Sequence, residues 1–219
     1  MIIVKGGIQV KVIVIGANSQ VGEFVIKCLA ENGYQSVAVI NEENKVPDMK
    51  KLGATEVNAN GRGDFSAAYS GCAAAIFISD SSPNTGSDKT VLVDQRAVID
   101  AVKDAKQNGV RRFVMMSAIR ADESSGGSAE TIGAKHMPDE LLRQEELAYT
   151  IIRPAEMTDE PGRGTVAVAA SLAENGGTIP RQDVASVLVA VLENEMAFNK
   201  TFDVSGGDTP IREALQALK

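Results

Sequence analysis

Histidine and cysteine are scarce in this chain, which has one histidine and two cysteines among 219 residues. A single imidazole, that of His136, cannot build a multi-histidine metal site, and we expect no bound metal ion. Cys28 and Cys72 lie far apart in sequence and have no metal-ligand spacing. We therefore interpret them as reduced, buried thiols of a cytoplasmic protein.

Basic stretches are also missing, and the formal net charge is −7. An acidic protein is not attracted to nucleic acid or to an anionic membrane, so we expect neither as a direct partner. The opening residues, MIIVKGGIQV, are apolar but are interrupted by Lys5, Gly6 and Gly7. This stretch is too short for a membrane span and lacks the layout of a signal peptide.

Strand and helix signals alternate along the chain, which is typical of parallel βαβ units. The apolar content of 44% is enough for one full core. We predict a single α/β domain with a Rossmann-type doubly wound parallel sheet in three αβα layers. Residues from about 155 to 219 are expected to form a small lobe on the substrate side. The predicted strands cover 10–15, 36–40, 56–59, 73–78, 112–116, 149–152 and 201–204, and the predicted helices cover 23–32, 91–105, a segment capped by Asp183 and a short segment from about 211.

The first predicted strand runs directly into a glycine-bounded turn and a helix, in the segment VKVIVIGANSQVG. Gly16 allows a sharp turn, and Gly22 allows the helix to approach the strand closely. Such a turn directs backbone N–H groups and the positive end of a helix toward one point, which suits a pyrophosphate. Ser19 stands where a middle glycine is usual, and the pattern also fits an ordinary strand-to-helix turn. Its position at the start of an α/β chain favours dinucleotide binding.

Several further segments, in a fixed order, carry a family resemblance. Together they resemble atypical short-chain dehydrogenases/reductases of the compact NAD(P)-binding type, close to NmrA-like proteins and flavin/biliverdin reductases. The resemblance implies a Rossmann fold, an NAD(P) cofactor and oxidoreductase chemistry. The matching segments are VIGANSQVG, LGATEV, YSGCAAAIFIS, GVRRFVMMSAI, AYTIIRPAEMTDEPGRG and RQDVASVLVAVL.

The resemblance also implies which residues contact the cofactor. One group surrounds the pyrophosphate, a second lies near the adenine, and a third lies near the ribose and the nicotinamide. In that order, the residues are Gly16, Asn18, Ser19, Gln20, Val21 and Gly22; then Asn60; then Ser79, Ser117, Lys135, Pro154, Ala155 and Glu156.

The choice between NAD and NADP rests on a short segment after the second strand. Asn41 stands where this family often has an arginine for the 2′-phosphate of NADP, and it is neither basic nor acidic. Lys45 favours NADP, whereas Glu42 and Glu43 oppose it. The expectation leans to NADP, and both cofactors stay open.

The catalytic segment departs from the family pattern. The resemblance assigns catalytic roles to Ser117 and Lys135, but Thr131 stands where the reductases have the tyrosine of Tyr-x-x-x-Lys. Pro138 would interrupt the helix that carries this motif. His136 could supply a proton, although a lone histidine is more often a surface residue.

We therefore expect hydride transfer from NAD(P)H to an unidentified small or planar acceptor without tyrosine acid catalysis. A non-catalytic NAD(P) redox sensor that acts through a protein partner is the main alternative, and a nucleotide-sugar epimerase or dehydratase is a weaker one. A monomer and a homodimer are both compatible with the sequence.

Overall fold

The computed structural model describes residues 9–61, 66–79, 88–117, 142, 144, 147–172 and 176–218. Within these ranges a nine-stranded sheet is covered by helices on both faces. The strands are β1 (Lys11–Ile15), β2 (Gln35–Val39), β3 (Glu56–Asn58), β4 (Ala74–Ile78), β5 (Arg112–Met116), β6 (Ala148–Pro154), β7 (Glu156–Thr158), β8 (Thr165–Ala169), β9 (Thr178–Pro180), β10 (Lys200–Gly206) and β11 (Thr209–Pro210). The helices are α1 (Gln20–Glu31), α2 (Val46–Lys51), α3 (Asp88–Gln107), α4 (Arg181–Ala190) and α5 (Ile211–Gln216), with 3-10 turns at Glu43–Lys45, Ser66–Tyr69 and Glu195–Ala197.

The strand order of the main sheet is β11-β8-β10-β6-β5-β4-β1-β2-β3, and β7 pairs with β9 in a separate sheet. Every pair from β3 across to β10 is parallel, whereas β8 is antiparallel to both β10 and β11. The chain reverses its direction of travel across the sheet between β1 and β4. In an open α/β sheet the crevice at this reversal point, outside the carboxyl ends of the strands, is where ligands bind.

Alternate residues of each strand enter two separate apolar clusters. On one face, β1 residues such as Val12 and Val14 pack with α1, α4 and α5, while on the other face Ile13 and Ile15 pack with α3. Strands that are buried on both faces need nearly continuous apolar runs, which explains why the sequence signalled them so clearly. The predicted three-layer Rossmann-type α/β domain is confirmed.

Two local predictions were wrong. Pro154 was expected to stop the sixth strand at Ile152, but it is the last residue of β6. Pairing with β10 continues past it, because the Ala155 N–H donates to the Val204 carbonyl at 2.8 Å. Asp183 was expected to cap a helix, but α4 begins two residues earlier, directly after Pro180. The Asp183 carboxylate has different partners, described below.

The region from 155 onward contributes to both sheets. Strands β8, β10 and β11 extend the main sheet, and β7 and β9 form the small one. Strand β8 was not predicted, because the segment GTVAVAA has only two large apolar residues. A distinct substrate-side lobe stays a prediction.

The two thiols are free, with Cys72 buried and Cys28 half-buried. Burial raises the pKa of both thiols, to about 11 for Cys72, so both are protonated at neutral pH. Among the described residues, no three histidine, cysteine or acidic side chains are grouped to hold a metal ion. Over the same part of the chain, no helix is long and apolar enough to cross a membrane.

Candidate functional site

The turn after β1 requires glycine at its first position. Gly16 has a φ of +82°, which side-chain-bearing residues rarely adopt. A Cβ atom on Gly16 would lie 2.6 Å from the carbonyl oxygen of Ile78, at the end of β4. Glycine therefore allows β1 and β4 to meet closely at the point where the strand order reverses.

Ser19 and Gly22 attach the start of α1 to this turn. The Ser19 hydroxyl donates to the Gly16 carbonyl at 2.8 Å and accepts from the Gly22 N–H at 3.0 Å, which makes Ser19 the N-cap of α1. A Cβ atom on Gly22 would lie 2.5 Å from the Gly16 oxygen. The serine that replaces the usual middle glycine thus fixes the turn and the helix together.

Three backbone N–H groups of the turn, those of Asn18, Gln20 and Val21, have no acceptor among the described residues. Gln20 and Val21 open α1, so their N–H groups lie at the positive end of the helix. The Ser19 N–H, which we expected to face the pyrophosphate, donates instead to the Gly16 carbonyl at 3.1 Å. A glycine-lined turn with three unused donors fits the pyrophosphate of a dinucleotide.

The ends of β2 and β3 are joined beside this turn. The Ile40 N–H donates to the Asn58 carbonyl and the Gly61 N–H donates to the Ile40 carbonyl, both at 2.9 Å. The Oδ1 atom of Asn41 lies against Gly61, 2.5 Å from where a Cβ atom would stand. Asn41 and Asn60 are both exposed at this edge of the sheet.

Two acidic contacts at the same place were not predicted. The Asn18 side-chain amide donates to the Glu42 carboxylate at 3.4 Å, and the Lys45 ammonium lies 3.7 Å from the Glu23 carboxylate. The only advance signal was the run of charged residues after β2. The Glu42 carboxylate therefore contacts the turn after β1. Lys45, the residue that favoured NADP in the sequence, is paired with Glu23.

A polar row crosses the carboxyl edge of the sheet one residue beyond Ile78, Met116 and Ile152, which are register partners at the ends of β4 and β5 and within β6. The Ser79 N–H donates to the Met116 carbonyl at 3.5 Å, and the Ser117 N–H donates to the Ile152 carbonyl at 2.9 Å. The row continues with Arg153 of β6 and its register partner Asp203 of β10. Ser117 is 9% exposed, and its hydroxyl makes no hydrogen bond with any described residue. A ligand can therefore receive a hydrogen bond from this hydroxyl.

Arg153 and Asp203 form a buried ion pair in that row, with Nε and Oδ1 2.6 Å apart. Arg153 also donates to the Ala170 carbonyl at 3.1 Å, and Asp203 accepts from the Leu172 N–H at 2.8 Å. The pair therefore joins β6 and β10 to the turn that follows β8. Sequence reasoning missed it because the two side chains are 50 residues apart.

The loop after β7, which contains Pro161, Gly162 and Gly164, is fastened by the start of α4. The Asp183 carboxylate accepts from the Arg163 N–H at 2.8 Å and the Gly164 N–H at 2.9 Å, and the Gln182 side-chain oxygen accepts from the Gly162 N–H at 3.1 Å. Arg181 adds an ion pair with Asp159 at 2.7 Å. Asp183 thus holds the loop rather than capping its own helix.

Comparison with known proteins identifies the family. A family model described as NAD(P)H-binding matches residues 16–195, which include the glycine turn, the polar row as far as Arg153, and α4. The chain belongs to this NAD(P)H-binding family.

Relatives of this NAD(P)H-binding protein span nearly its whole length. It is 39% identical over 215 residues to the uncharacterized sugar epimerase YhfK of Bacillus subtilis, across 95% of this chain and 100% of the relative. A structure from Bacillus halodurans, provisionally described as an NAD-dependent epimerase/dehydratase, superposes with a TM-score of 0.86 at 30% identity and covers 95% of this chain and 100% of that one. A short-chain dehydrogenase/reductase from Veillonella parvula, solved with NADP, superposes with a TM-score of 0.69 over 93% of this chain and 97% of that one, and its 13% identity shows a common fold alone.

These comparisons confirm the resemblance to atypical short-chain dehydrogenases/reductases and support NAD(P) binding by this family member. Lys135, Thr131, His136 and Pro138 lie outside the described residues. The other predicted site residues lie together at the carboxyl edge of the sheet, and their individual contacts with a cofactor stay predictions: Gly16, Asn18, Ser19, Gln20, Val21, Gly22, Asn41, Asn60, Ser79, Ser117, Pro154, Ala155 and Glu156.

Proposed function

We propose that this protein is an NAD(P)H-dependent oxidoreductase that reduces a small or planar acceptor. The observation that carries the proposal is the turn after β1, where three backbone N–H groups without described acceptors lie at the start of α1. Asn18 is half-buried and Val21 is buried, and backbone donors in such places are nearly always satisfied in a folded protein. Gln20 is exposed and begins the helix, where N–H groups have no intrahelical partner. A bound pyrophosphate would satisfy these three donors.

The chain's own residues would hold the cofactor from end to end. The N–H groups of Asn18, Gln20 and Val21 bind the pyrophosphate, and the Asn60 side-chain oxygen accepts from the adenine amino group. When bound, the dihydronicotinamide supplies the hydride, and the protein supplies orientation. Ala155 is buried and Glu156 is exposed where the chain leaves β6, and the family resemblance assigns them to the nicotinamide end of the cofactor.

Ser117 is the residue that we place nearest to the chemistry. Its hydroxyl donates to the acceptor carbonyl or to the nicotinamide amide, since no described residue uses it. Lys135 joins it by family resemblance, as a ribose ligand and a positive charge. The proton that accompanies the hydride comes from water, because Thr131 cannot act as the family tyrosine does.

The names of the two Bacillus relatives raise sugar epimerisation as a second candidate. Epimerases of this fold class use the tyrosine that Thr131 replaces in this chain, so we favour reduction of an acceptor that takes its proton from solvent. Nucleotide sugars therefore belong in the substrate screen beside flavins, biliverdin-like tetrapyrroles, quinones and simple carbonyls.

Cofactor binding is tested with a variant that lacks one of the three backbone N–H donors, that of Gln20. Proline is tolerated at the first position of a helix, and Ser19 before it is already extended, with φ −74° and ψ 160°. Gln20→Pro therefore deletes one N–H while α1 stays intact, and affinity for NADH or NADPH should fall about tenfold by calorimetry. Gln20→Ala, which keeps the N–H, is the matched control and should bind like the wild type.

Turnover is then measured as acceptor-dependent loss of dihydronicotinamide absorbance. Oxidation of the reduced cofactor by one acceptor class supports the proposal, and Ser117→Ala should slow it about tenfold. Micromolar binding without turnover of any acceptor would overturn the oxidoreductase assignment and leave redox sensing. Absence of binding to every form of the cofactor would overturn the whole proposal.

A further inference from the structure

We propose that Glu42 makes this cofactor site select NADH over NADPH. The inference rests on the proposed NAD(P)H site and goes beyond it, because sequence reasoning leaned toward NADP through Lys45. The preference for NADH is inferred from two side-chain contacts that the sequence did not reveal, Asn18 with Glu42 and Lys45 with Glu23.

The position of Glu42 follows from the hydrogen bonds around it. Ile40 continues the ladder of β2 by donating to Asn58, so the chain leaves the sheet only at Asn41. Glu42 then turns back toward the glycine turn, and its carboxylate accepts from the Asn18 amide at 3.4 Å. The carboxylate consequently lies between the end of β2 and the turn with the three free N–H groups, on the side where the adenosine ribose of a dinucleotide binds.

A carboxylate at this place distinguishes the two cofactors by charge. A ribose 2′-hydroxyl donates a hydrogen bond to an acidic side chain here, which is the usual basis of NAD recognition. A 2′-phosphate brings about two negative charges at neutral pH and cannot donate such a bond.

Lys45, the lysine that follows β2 in the described part of the chain, is already engaged in an ion pair. Lys45 lies 3.7 Å from Glu23 on α1, and both side chains are only partly exposed. Asn41, at the position of the family arginine, has its side-chain oxygen against Gly61. A 2′-phosphate would have to break the Lys45–Glu23 pair and face Glu42, whereas a hydroxyl requires neither change.

The test uses calorimetric titration of the full chain with NADH and NADPH, and with ADP and 2′,5′-ADP as probes that lack the nicotinamide. The wild type should bind NADH at least about tenfold more tightly than NADPH, and ADP more tightly than 2′,5′-ADP. Glu42→Gln should reduce both ratios by about tenfold, chiefly through tighter binding of the phosphorylated partner. Glu43→Gln is the matched control and should change the ratios by less than about twofold, because Glu43 does not contact the turn.

Salt gives a second readout that does not depend on folding of a variant. Exposed charges are screened at high ionic strength, so the preference for NADH should shrink as salt is raised. Equal or tighter binding of NADPH by the wild type would overturn the inference and leave the proposed function intact, as would equal effects of the two glutamate variants. Failure of the wild type to bind any of the four probes would instead overturn the cofactor site, and the inference with it.

Discussion

Two arginines are buried at opposite edges of the same sheet, and their surroundings differ. Arg112 begins β5 at the amino edge and is fully buried. Its guanidinium donates to the carbonyls of Ala148 and Val191 and lies 4.3 Å from the ring centre of Phe198, with no carboxylate among its described partners. Burial lowers the pKa of Arg112 to about 9, so the group still carries its charge at neutral pH. Arg153, near the carboxyl edge, is paired with Asp203 instead.

The partners of the two arginines differ between the amino edge and the carboxyl edge of the sheet. At the amino edge, Arg112 of β5 links β6 and the segment after α4 through hydrogen bonds to neutral oxygens. At the carboxyl edge, the charged pair lies in one row with Ser117 and positions a turn beside the candidate site. Arg112 is thus held by neutral oxygens at the amino edge, whereas Arg153 is held by an opposite charge in the row that contains Ser117.

Asp203→Ala should have the largest effect on stability. It leaves the Arg153 guanidinium buried without its carboxylate and removes the acceptor of the Leu172 N–H, so the free energy of unfolding should fall by about 3–5 kcal/mol. Urea unfolding measures the loss. The double variant Arg153→Met with Asp203→Leu, which removes both charges, should recover most of it. If Asp203→Ala had a free energy of unfolding within about 1 kcal/mol of the wild type, the stabilising role of the ion pair would be contradicted.

Gly16→Ala should come next, because it combines a positive φ with a close contact to the Ile78 carbonyl. The expected loss is about 2–4 kcal/mol in unfolding free energy, together with loss of cofactor binding. Gly109, at the amino edge before β5, has a φ of +75° but open space around it. Gly109→Ala should therefore cost about 1 kcal/mol and leave binding unchanged. Equal effects at both glycines would argue against a site built at the carboxyl edge.

Arg112→Met should have the smallest effect of the three, about 2 kcal/mol, even though more hydrogen bonds are lost than in Asp203→Ala. No charge is left behind, and methionine fills part of the volume against Phe198. Thermal and urea unfolding give the value, and the exposed neighbour Arg111→Met serves as control with no expected change. If Arg112→Met proved more destabilising than Asp203→Ala, the contrast between the edges would be wrong.

The parallel strands could be predicted because each signal is local. A strand such as Arg112–Met116 is buried on both faces, so its apolar run is visible without knowledge of its neighbours. Strand β8 could not be predicted in the same way. Its alternation of Val166 and Val168 with alanines is short, and its pairing with β10 fixes it as a strand.

In the candidate site, too, the local features could be predicted and the contacts between distant residues could not. The turn was predicted because Gly16 and Gly22 report backbone requirements directly in the sequence. The contact of Asn18 with Glu42 joins residues 24 apart, and it depends on side-chain directions that follow only from the folded sheet. A pattern of residue types predicted a pyrophosphate-binding turn, but it left undecided which charged side chain contacts that turn.

The packing of α1 has a consequence for how the protein is made. Val25 and Leu29 of α1 lie in the same apolar cluster as Val187 and Leu188 of α4. The helix that follows the phosphate turn is therefore covered by a helix synthesised some 150 residues later, so a growing chain on the ribosome exposes its apolar face for most of translation. Cofactor binding should therefore appear only after α4 has left the exit tunnel.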